Sequence, residues 1–390
     1  LATASIVVLV PYFRHVFKFL EPRNVIRRIR NEILEQIERA TRIGDEARTG
    51  VLQLRVVQSL DHLKDIARNS VQQLDRSLAI GAIVSLRDVA LGAARLKARL
   101  PAAWFRISNI VRKNPDFLNF PEASIRVFEA ERSWLERKIA WQLFVIFQGA
   151  VGSMRGVCSA LALTARELGE EALFRGDREN VRLAARTFNT FLRAALNGRD
   201  VRTAFNVLLQ YRLFAEALVR ARDIELSREV FRHFRYYGRT ADRMGLGFVL
   251  ETAAHDLSVL VKEMLAAGAD EAIVREHLFT VLALDDDEPE TPLATSTRAG
   301  VRRAQIVLAA HLIARGREDL ARLIFDDMRK ETPARLQAVK SEILSAEPEF
   351  FELTERVSSF GYVPPEERAA LETFFEWFSE RREAVEARPR

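Results

Sequence analysis

The sequence is poor in the residues that build disulfides, tight turns and metal sites. Among 390 residues there is one cysteine, Cys158, so an internal disulfide and a multi-cysteine zinc site are both excluded. Glycine (17) and proline (12) are scarce for this length, which argues against a β-rich chain with many hairpins. The six histidines, His15, His62, His233, His255, His277 and His311, are scattered. Glu251 and His255 stand four apart with Asp256 beside them, but no third ligand is marked for a metal. No G-x-S-x-G elbow occurs, and GAVGSMRG lacks the Lys-Ser/Thr that completes a phosphate loop. The acidic run from Asp285 to Glu288 lacks the alternation and the glycine of a calcium loop. The chain therefore reads as non-enzymatic, with no metal and no cofactor expected. An enzyme on an all-helical scaffold is the third reading, because fold alone does not settle function.

What remains is a helix-forming composition. Apolar residues make up 48% and charged residues 29%, dominated by Ala, Leu, Arg and Glu. With 59 basic and 54 acidic residues the net charge is +5, a mild excess whose meaning depends on its location. The expected fold is all-α: an elongated, solenoid-like array of antiparallel helix pairs that follows the end of a truncated transmembrane helix.

That last expectation rests on LATASIVVLVPYFRHVFKFLEPRNVIRRIR. Leu1 to Phe13 carry no charge, then Arg14, Lys18, Arg23, Arg27, Arg28 and Arg30 follow against one acid, Glu21. Thirteen helical residues reach only about 20 Å, short of the ~30 Å hydrocarbon core. The segment lacks the basic n-region and cleavage site of a signal peptide. A soluble core helix and a surface-lying amphipathic anchor are the competing readings. The basic collar favours the exit end of a span, because juxtamembrane Lys and Arg mark the cytoplasmic side and attract anionic headgroups. Residues 1–20 are read as that span end, with the rest of the chain in the cytoplasm.

Residues 21–114 read as juxtamembrane helical hairpins: one helix after Pro22, two more breaking near Asp75 to Ser77, and a shorter one from Pro101 to Asn114. Residues 121–284 read as a long central helix to about Arg175, then a helical-pair array. In the long helix Gly149, Gly152 and Gly156 lie along one side, where another helix could approach. Beyond it, turn signals recur about every 22 to 24 residues, at Gly176-Asp177, Gly198 to Asp200, Arg222-Asp223, Gly245 to Gly247 and Gly268 to Asp270. Asp177, Asp200 and Asp270 occupy N-cap positions. Residues 285–297 form an acidic loop, and 298–390 a C-terminal helical block. There VRRAQIVLAAHLIARGREDLARLIFDDMRKETP resembles one tetratricopeptide hairpin, carried by Leu308, Ala309, Leu312, Ala321, Phe325 and Pro333. A last helix from about Pro365 presents Leu371, Phe374, Phe375 and Phe378 as an apolar stripe.

The opening is similar to one bacterial family of integral membrane proteins, domain of unknown function 2254. SIVVLVPYFRHVFKFLEPRNVIRRIRNEILEQIERA (Ser5 to Ala40) resembles the family's last span running into a helix, and LKDIARNSVQQLDRSLAIGAIVSLRDVALG resembles a helix pair further on. The family's Ser-Pro and Ile-Asn-Asp-Pro turn is replaced here by VQQLDRS, and Gly44 to Gly50 leaves no room for its small β-rich segment. The resemblance spans about the first 100 residues and implies attachment to the bacterial inner membrane, with no activity or functional residue.

One patch mixes aromatic and basic residues: FRHFRYYGRTADR, Phe231 to Arg243, with Arg232, Arg235, Arg239 and Arg243. Such mixtures can hold single-stranded nucleic acid by charge and stacking. On a helix, however, Phe231 and Phe234 share one face while the arginines spread over the other, which is the pattern of a packed helix with a solvated side. A site for an anionic partner is the alternative. The leading functional reading is a membrane-tethered cytoplasmic scaffold that touches anionic headgroups and binds other proteins through its helical array. The runner-up is a soluble helical-repeat adaptor for an anionic partner; nucleic acid is the less favoured ligand.

Overall fold

The computed structural model describes residues 21–118, 120–284, 292–346 and 361–386. The apolar run and the first collar residues, Arg14 and Lys18, lie outside them. Among the described residues every regular element is a helix, as composition implies. The chain forms two compact units, Leu1–Tyr211 and Arg212–Arg390.

In the first unit α1 (Pro22–Ala40), α2 (Glu46–Gln72) and α3 (Arg76–Leu96) pack on one another. Ile33 and Ile37 of α1, Val56 and Leu60 of α2, and Ile83 and Leu86 of α3 are fully buried. The stretch Arg76–Arg99 is, among the described residues, the one helical segment long and apolar enough to cross a bilayer. Its residues Ala79, Ile83, Leu86, Val89 and Ala93 are buried, and α3 packs against α1, α2 and a later helix, as a core helix does.

The single helix expected from Pro101 to Asn114 is instead a 3-10 turn, Ala102–Phe105, and two short helices, α4 (Asn109–Arg112) and α5 (Pro115–Leu118). The Trp104 carbonyl accepts from Gln53 Nε2 at 2.9 Å and from Trp134 Nε1 at 2.7 Å, so tertiary partners take the acceptor that would continue a helix. The turn-rich stretch after Asn114 belongs to the same unit, with Phe117 buried against Trp134.

The long central helix is likewise three: α6 (Glu122–Ala130), α7 (Trp134–Ala150) and α8 (Arg155–Phe174). Arg132 takes a left-handed backbone, φ 53°, at the first break, and Gly152, φ 77°, at the second. Asp200 Oδ2 accepts from the Gly152 amide at 3.1 Å, which holds that second break from far along the chain. The three glycines do not form one approach surface. Gly149 faces open space and Gly152 makes the turn, whereas a Cβ on Gly156 would lie 2.5 Å from Arg76 Nε.

From α8 onward the helices keep a fixed length. With α9 (Arg178–Asn197), α10 (Val201–Arg220), α11 (Ile224–Arg243) and α12 (Gly247–Ala266), five successive helices have 20 residues each and start 23 residues apart. The unit boundary falls within α10. The turns explain the regularity. After α8, α9 and α10 a left-handed residue, Gly176 (φ 68°), Arg199 (φ 49°) or Arg222 (φ 58°), precedes an aspartate. Each aspartate ends one helix with its own amide, bonded to the carbonyl of Ala172, Ala195 or Leu218 at 2.9 to 3.0 Å. The same residue starts the next helix with its carboxylate, which accepts from the amide of Asn180, Thr203 or Leu226. Leu74 and Asp75 make the same turn between α2 and α3.

In the second unit, α11 and α12 are followed by α13 (Glu271–Leu282), α14 (Pro292–Ala314), α15 (Glu318–Asp327), α16 (Pro333–Ser345) and α17 (Arg368–Glu386). α14 packs against α12, α15, α16 and α17. The tetratricopeptide-like hairpin is α14 and α15: Leu308, Ala309, Leu312, Ala321 and Phe325 are buried, Gly316 (φ 71°) turns the chain, and Pro333 opens α16. Phe325 packs edge-on against Phe374 and Trp377 of α17, at 6.4 and 5.8 Å between ring centres. The acidic loop was expected over 285–297; residues 285–291 lie outside the described set, and by Pro292 the chain is already helical.

Candidate functional site

α11 is built to show one side. Asp223 caps its start, and Leu226, Val230, Phe231, Phe234, Tyr237 and Ala241 are buried along one face. Gly238 lets α12 come close, since a Cβ there would lie 3.0 Å from Leu250 Cδ1 and 3.1 Å from Ala253 Cβ. Phe231 meets the His277 ring of α13 edge-on at 4.4 Å. His277 Nδ1 lies 2.7 Å from the Ile273 carbonyl, and burial keeps its imidazole below the usual histidine value.

With the buried face fixed, helical geometry aims the arginines outward together. At 100° per residue Arg232, Arg235, Arg239 and Arg243 fall within about 80° of one another and span about 16 Å along the axis. The four are a single stripe, narrower than the spread that pattern reading assigned them. Arg228 extends it by one turn and was not singled out, although its spacing from Arg232 carries the signal. It is held by Glu276 through two hydrogen bonds, Nε–Oε1 at 2.6 Å and Nη2–Oε2 at 2.8 Å. Arg232 and Arg243 are exposed, Arg235 and Arg239 half-exposed, and Tyr236 stands beside them at 57% exposure. Arg243 reaches Thr240 Oγ1 at 3.4 Å. Arg235 lines an open groove of about 550 Å³ with Phe279, Leu282, Leu323, Asp326 and Asp327. The two acids there already have cations: Asp326 is paired with Arg329 and Asp327 with Arg302. The surface is therefore basic and aromatic along α11, with an apolar groove at its edge.

No family model matches the chain, and no curated protein does. Among solved structures it is similar to a "circular tandem repeat protein with novel repeat topology and enhanced subunit contact surfaces", at 18% identity over 96% of this chain and 92% of that one, with a TM-score of 0.37. The all-α array of helix pairs stands on the helices themselves.

The other sequence-marked residues divide between surface and core. Of the collar, Arg23, Arg27 and Arg28 are exposed on α1, with Arg23 Nη2 2.7 Å from Ser77 Oγ. Arg30 is drawn inward to Asp88 at 3.0 Å, so it ties α1 to α3. Glu251 and His255 do not converge on a third ligand: Glu251 pairs with Arg303 at 3.5 Å, and Asp256 lies 3.4 Å from Arg212. Among the described residues no group of three His, Cys, Asp or Glu is placed to hold a metal. Cys158 is buried, and burial pushes its thiol up to about 12, against a hydrogen bond with Thr203. Such a thiol is not a nucleophile near neutral pH.

One cluster escaped pattern reading altogether. The Lys138 side chain is fully buried, with Nζ 2.7 Å from Asp61 Oδ1, 3.0 Å from Asn114 Oδ1, and in contact with Asp116. Gln142 Nε2 donates to Asp61 Oδ1 at 3.0 Å, and Asn114 Nδ2 donates to Asp61 Oδ2 at 2.7 Å. Burial works against ionisation of Asp61, but Lys138 outweighs it and holds the carboxyl below its usual range. The cluster ties α2, α5 and α7 together. Its sequence signal was a lysine at the head of the apolar run KIAWQLFVIF.

Proposed function

We propose that the chain is a non-catalytic helical scaffold, held at an anionic bilayer by its first residues, whose α11 stripe grips an acidic segment of a partner protein. The observation that carries this reading is the outward alignment of Arg232, Arg235, Arg239 and Arg243 over a packed face. Cations spaced by one helical turn complement carboxylates at the same spacing on a facing helix. A single-stranded nucleic acid is the poorer match, because it stacks successive bases on several aromatic side chains and the stripe exposes one, Tyr236. The bilayer part of the proposal is supported by the uncharged run Leu1 to Phe13 and by the exposure of Arg23, Arg27 and Arg28 behind it.

The test uses the whole chain. Binding to fluorescent poly-glutamate and to oligo-deoxythymidylate is compared by anisotropy at rising salt, in wild type and in Arg232→Glu/Arg243→Glu. Poly-glutamate should bind more tightly, weaken with salt, and lose at least ten-fold in the variant. Unchanged affinity in the variant, or tighter binding of the oligonucleotide, would overturn the partner assignment. Flotation with phosphatidylglycerol but not phosphatidylcholine vesicles is expected for the tether; a chain that stays below both refutes it.

A further inference from the structure

Four helix ends meet at one place in the first unit. α3 and α8 finish there, at Leu96 and Phe174, and α7 and α9 begin there, at Trp134 and Arg178. Between them is a partly open cavity of about 60 Å³. Its walls carry alanine on every one of the four helices: Ala90, Ala94, Ala140, Ala165, Ala172 and Ala184. Helices that face one another through methyl groups leave a slot that larger side chains would fill. The slot runs from Glu136 down to Leu143 on α7, about two turns or roughly 10 Å.

The slot has a polar end. Lys97 Nζ lies 2.6 Å from Asp177 Oδ2 and 3.4 Å from Glu136 Oε1. Asn180 donates from Nδ2 to Asp177 Oδ2 at 2.9 Å and to Glu136 Oε1 at 3.3 Å. Both amide hydrogens are thereby committed, and Asn180 Oδ1 is left buried with no donor. The Glu171 and Arg175 side chains, paired at 2.6 Å, also line the space. The groups around this end are three acids, Glu136, Glu171 and Asp177, against two cations, Lys97 and Arg175. Burial pushes the Glu136 carboxyl up, with Lys97 opposing, so a second cation beside it would favour its ionised form.

We propose that the slot binds a short primary alkylamine as its ammonium ion, the tail lying among the alanines and the head donating to Asn180 Oδ1 beside Glu136. The room suits the assignment. A cavity of about 150 Å³ holds the six carbons of benzene, so about 60 Å³ encloses roughly two or three carbons of the tail. The partly open slot leaves the rest of the chain and its nitrogen at the polar end. A carboxylate head would meet an excess of acids, with the one lysine already engaged. An alcohol can donate to Asn180 but leaves the charge uncompensated.

The experiment is titration of the full chain with n-butylammonium, 1-butanol and n-butyrate at pH 7.5 and constant ionic strength, read by saturation-transfer NMR and calorimetry. n-Butylammonium is expected to bind at least ten-fold more tightly than 1-butanol, with no binding of butyrate. Ala165→Leu or Ala140→Leu should fill the slot and abolish binding while the helical circular-dichroism signal and melting temperature are kept. Asn180→Ala, which leaves the walls intact, should weaken n-butylammonium at least five-fold and 1-butanol less. Equal binding of amine and alcohol marks a plain apolar void and overturns the proposal, as does undetectable amine binding. Amine binding that survives in a folded plug variant, or that Asn180→Ala does not change, overturns it too.

Discussion

Replacing Lys138 by Met keeps the stem of the side chain and removes the ammonium that Asp61, Asn114 and Asp116 surround. Taking one partner from a buried ion pair costs about 3 to 5 kcal/mol, mostly because the other charge stays behind without compensation. Here the carboxylates keep some access to water, 21% for Asp61 and 14% for Asp116, and Asp61 retains Asn114, Gln142 and Lys64. The lower end, about 3 kcal/mol, is therefore expected at pH 7. The sign with pH follows from the depressed Asp61 value. A carboxyl ionised more readily in the folded state stabilises the fold above its unfolded value, 3.8, and that contribution is lost as pH falls through the lower folded value. In Lys138→Met the Asp61 carboxyl rises, so acid protonates the stranded group sooner and relieves it. The difference between wild type and variant should thus shrink below about pH 4. The measurement is urea unfolding at pH 7, 5 and 3.5, followed by the fluorescence of Trp104 and Trp134, both buried in the first unit. A loss under about 1 kcal/mol at pH 7, or a loss that does not shrink in acid, would refute the reasoning.

Other perturbations give equally definite signs. Asp75→Ala removes the acceptor of the Leu78 amide, at 2.9 Å, and should destabilise the first unit by about 1 kcal/mol in the same assay. Leu74→Gly at the same turn should act in the opposite direction, by a few tenths of a kcal/mol, since Leu74 is 68% exposed and held at φ 58°. His277 titrates below its unfolded value because it is buried, so the second unit should lose stability as pH falls from about 7 through the folded value. In His277→Phe that slope between pH 7.5 and 5.5, read by calorimetry, should flatten.

Local chemistry made much of this fold legible, and distance hid the rest. The aspartate turns were readable at Asp177 and Asp200 because cap, left-handed residue and helix stop lie within a few positions. The tetratricopeptide-like hairpin was readable for the same reason. The breaks inside 121–175 were not. Arg132 adopts a left-handed backbone without being glycine, and Gly152 turns against Asp200, a residue 48 positions later. The Lys138 cluster draws its acids from 22 and 77 residues upstream, so no motif spacing could announce it.

The two candidate sites differ in the same way. The arginine stripe follows from helical periodicity once the buried face of α11 is known, so the residues were named from sequence and structure supplied their common direction. The alanine slot had the opposite signature. Ala90, Ala140, Ala165 and Ala184 register in a sequence as helix propensity, and propensity says nothing about what a methyl group faces. Only when α3, α7, α8 and α9 are brought together do four ordinary helix formers become the wall of a cavity. Asn180 then changes meaning as well. Three residues after a cap it reads as part of the turn, yet with both amide hydrogens given to Glu136 and Asp177 its carbonyl is an acceptor awaiting a donor. A caps-and-turns reading accounts for its Nδ2 and leaves its Oδ1 unexplained, which is why the amine assignment rests on that atom rather than on the cavity's size.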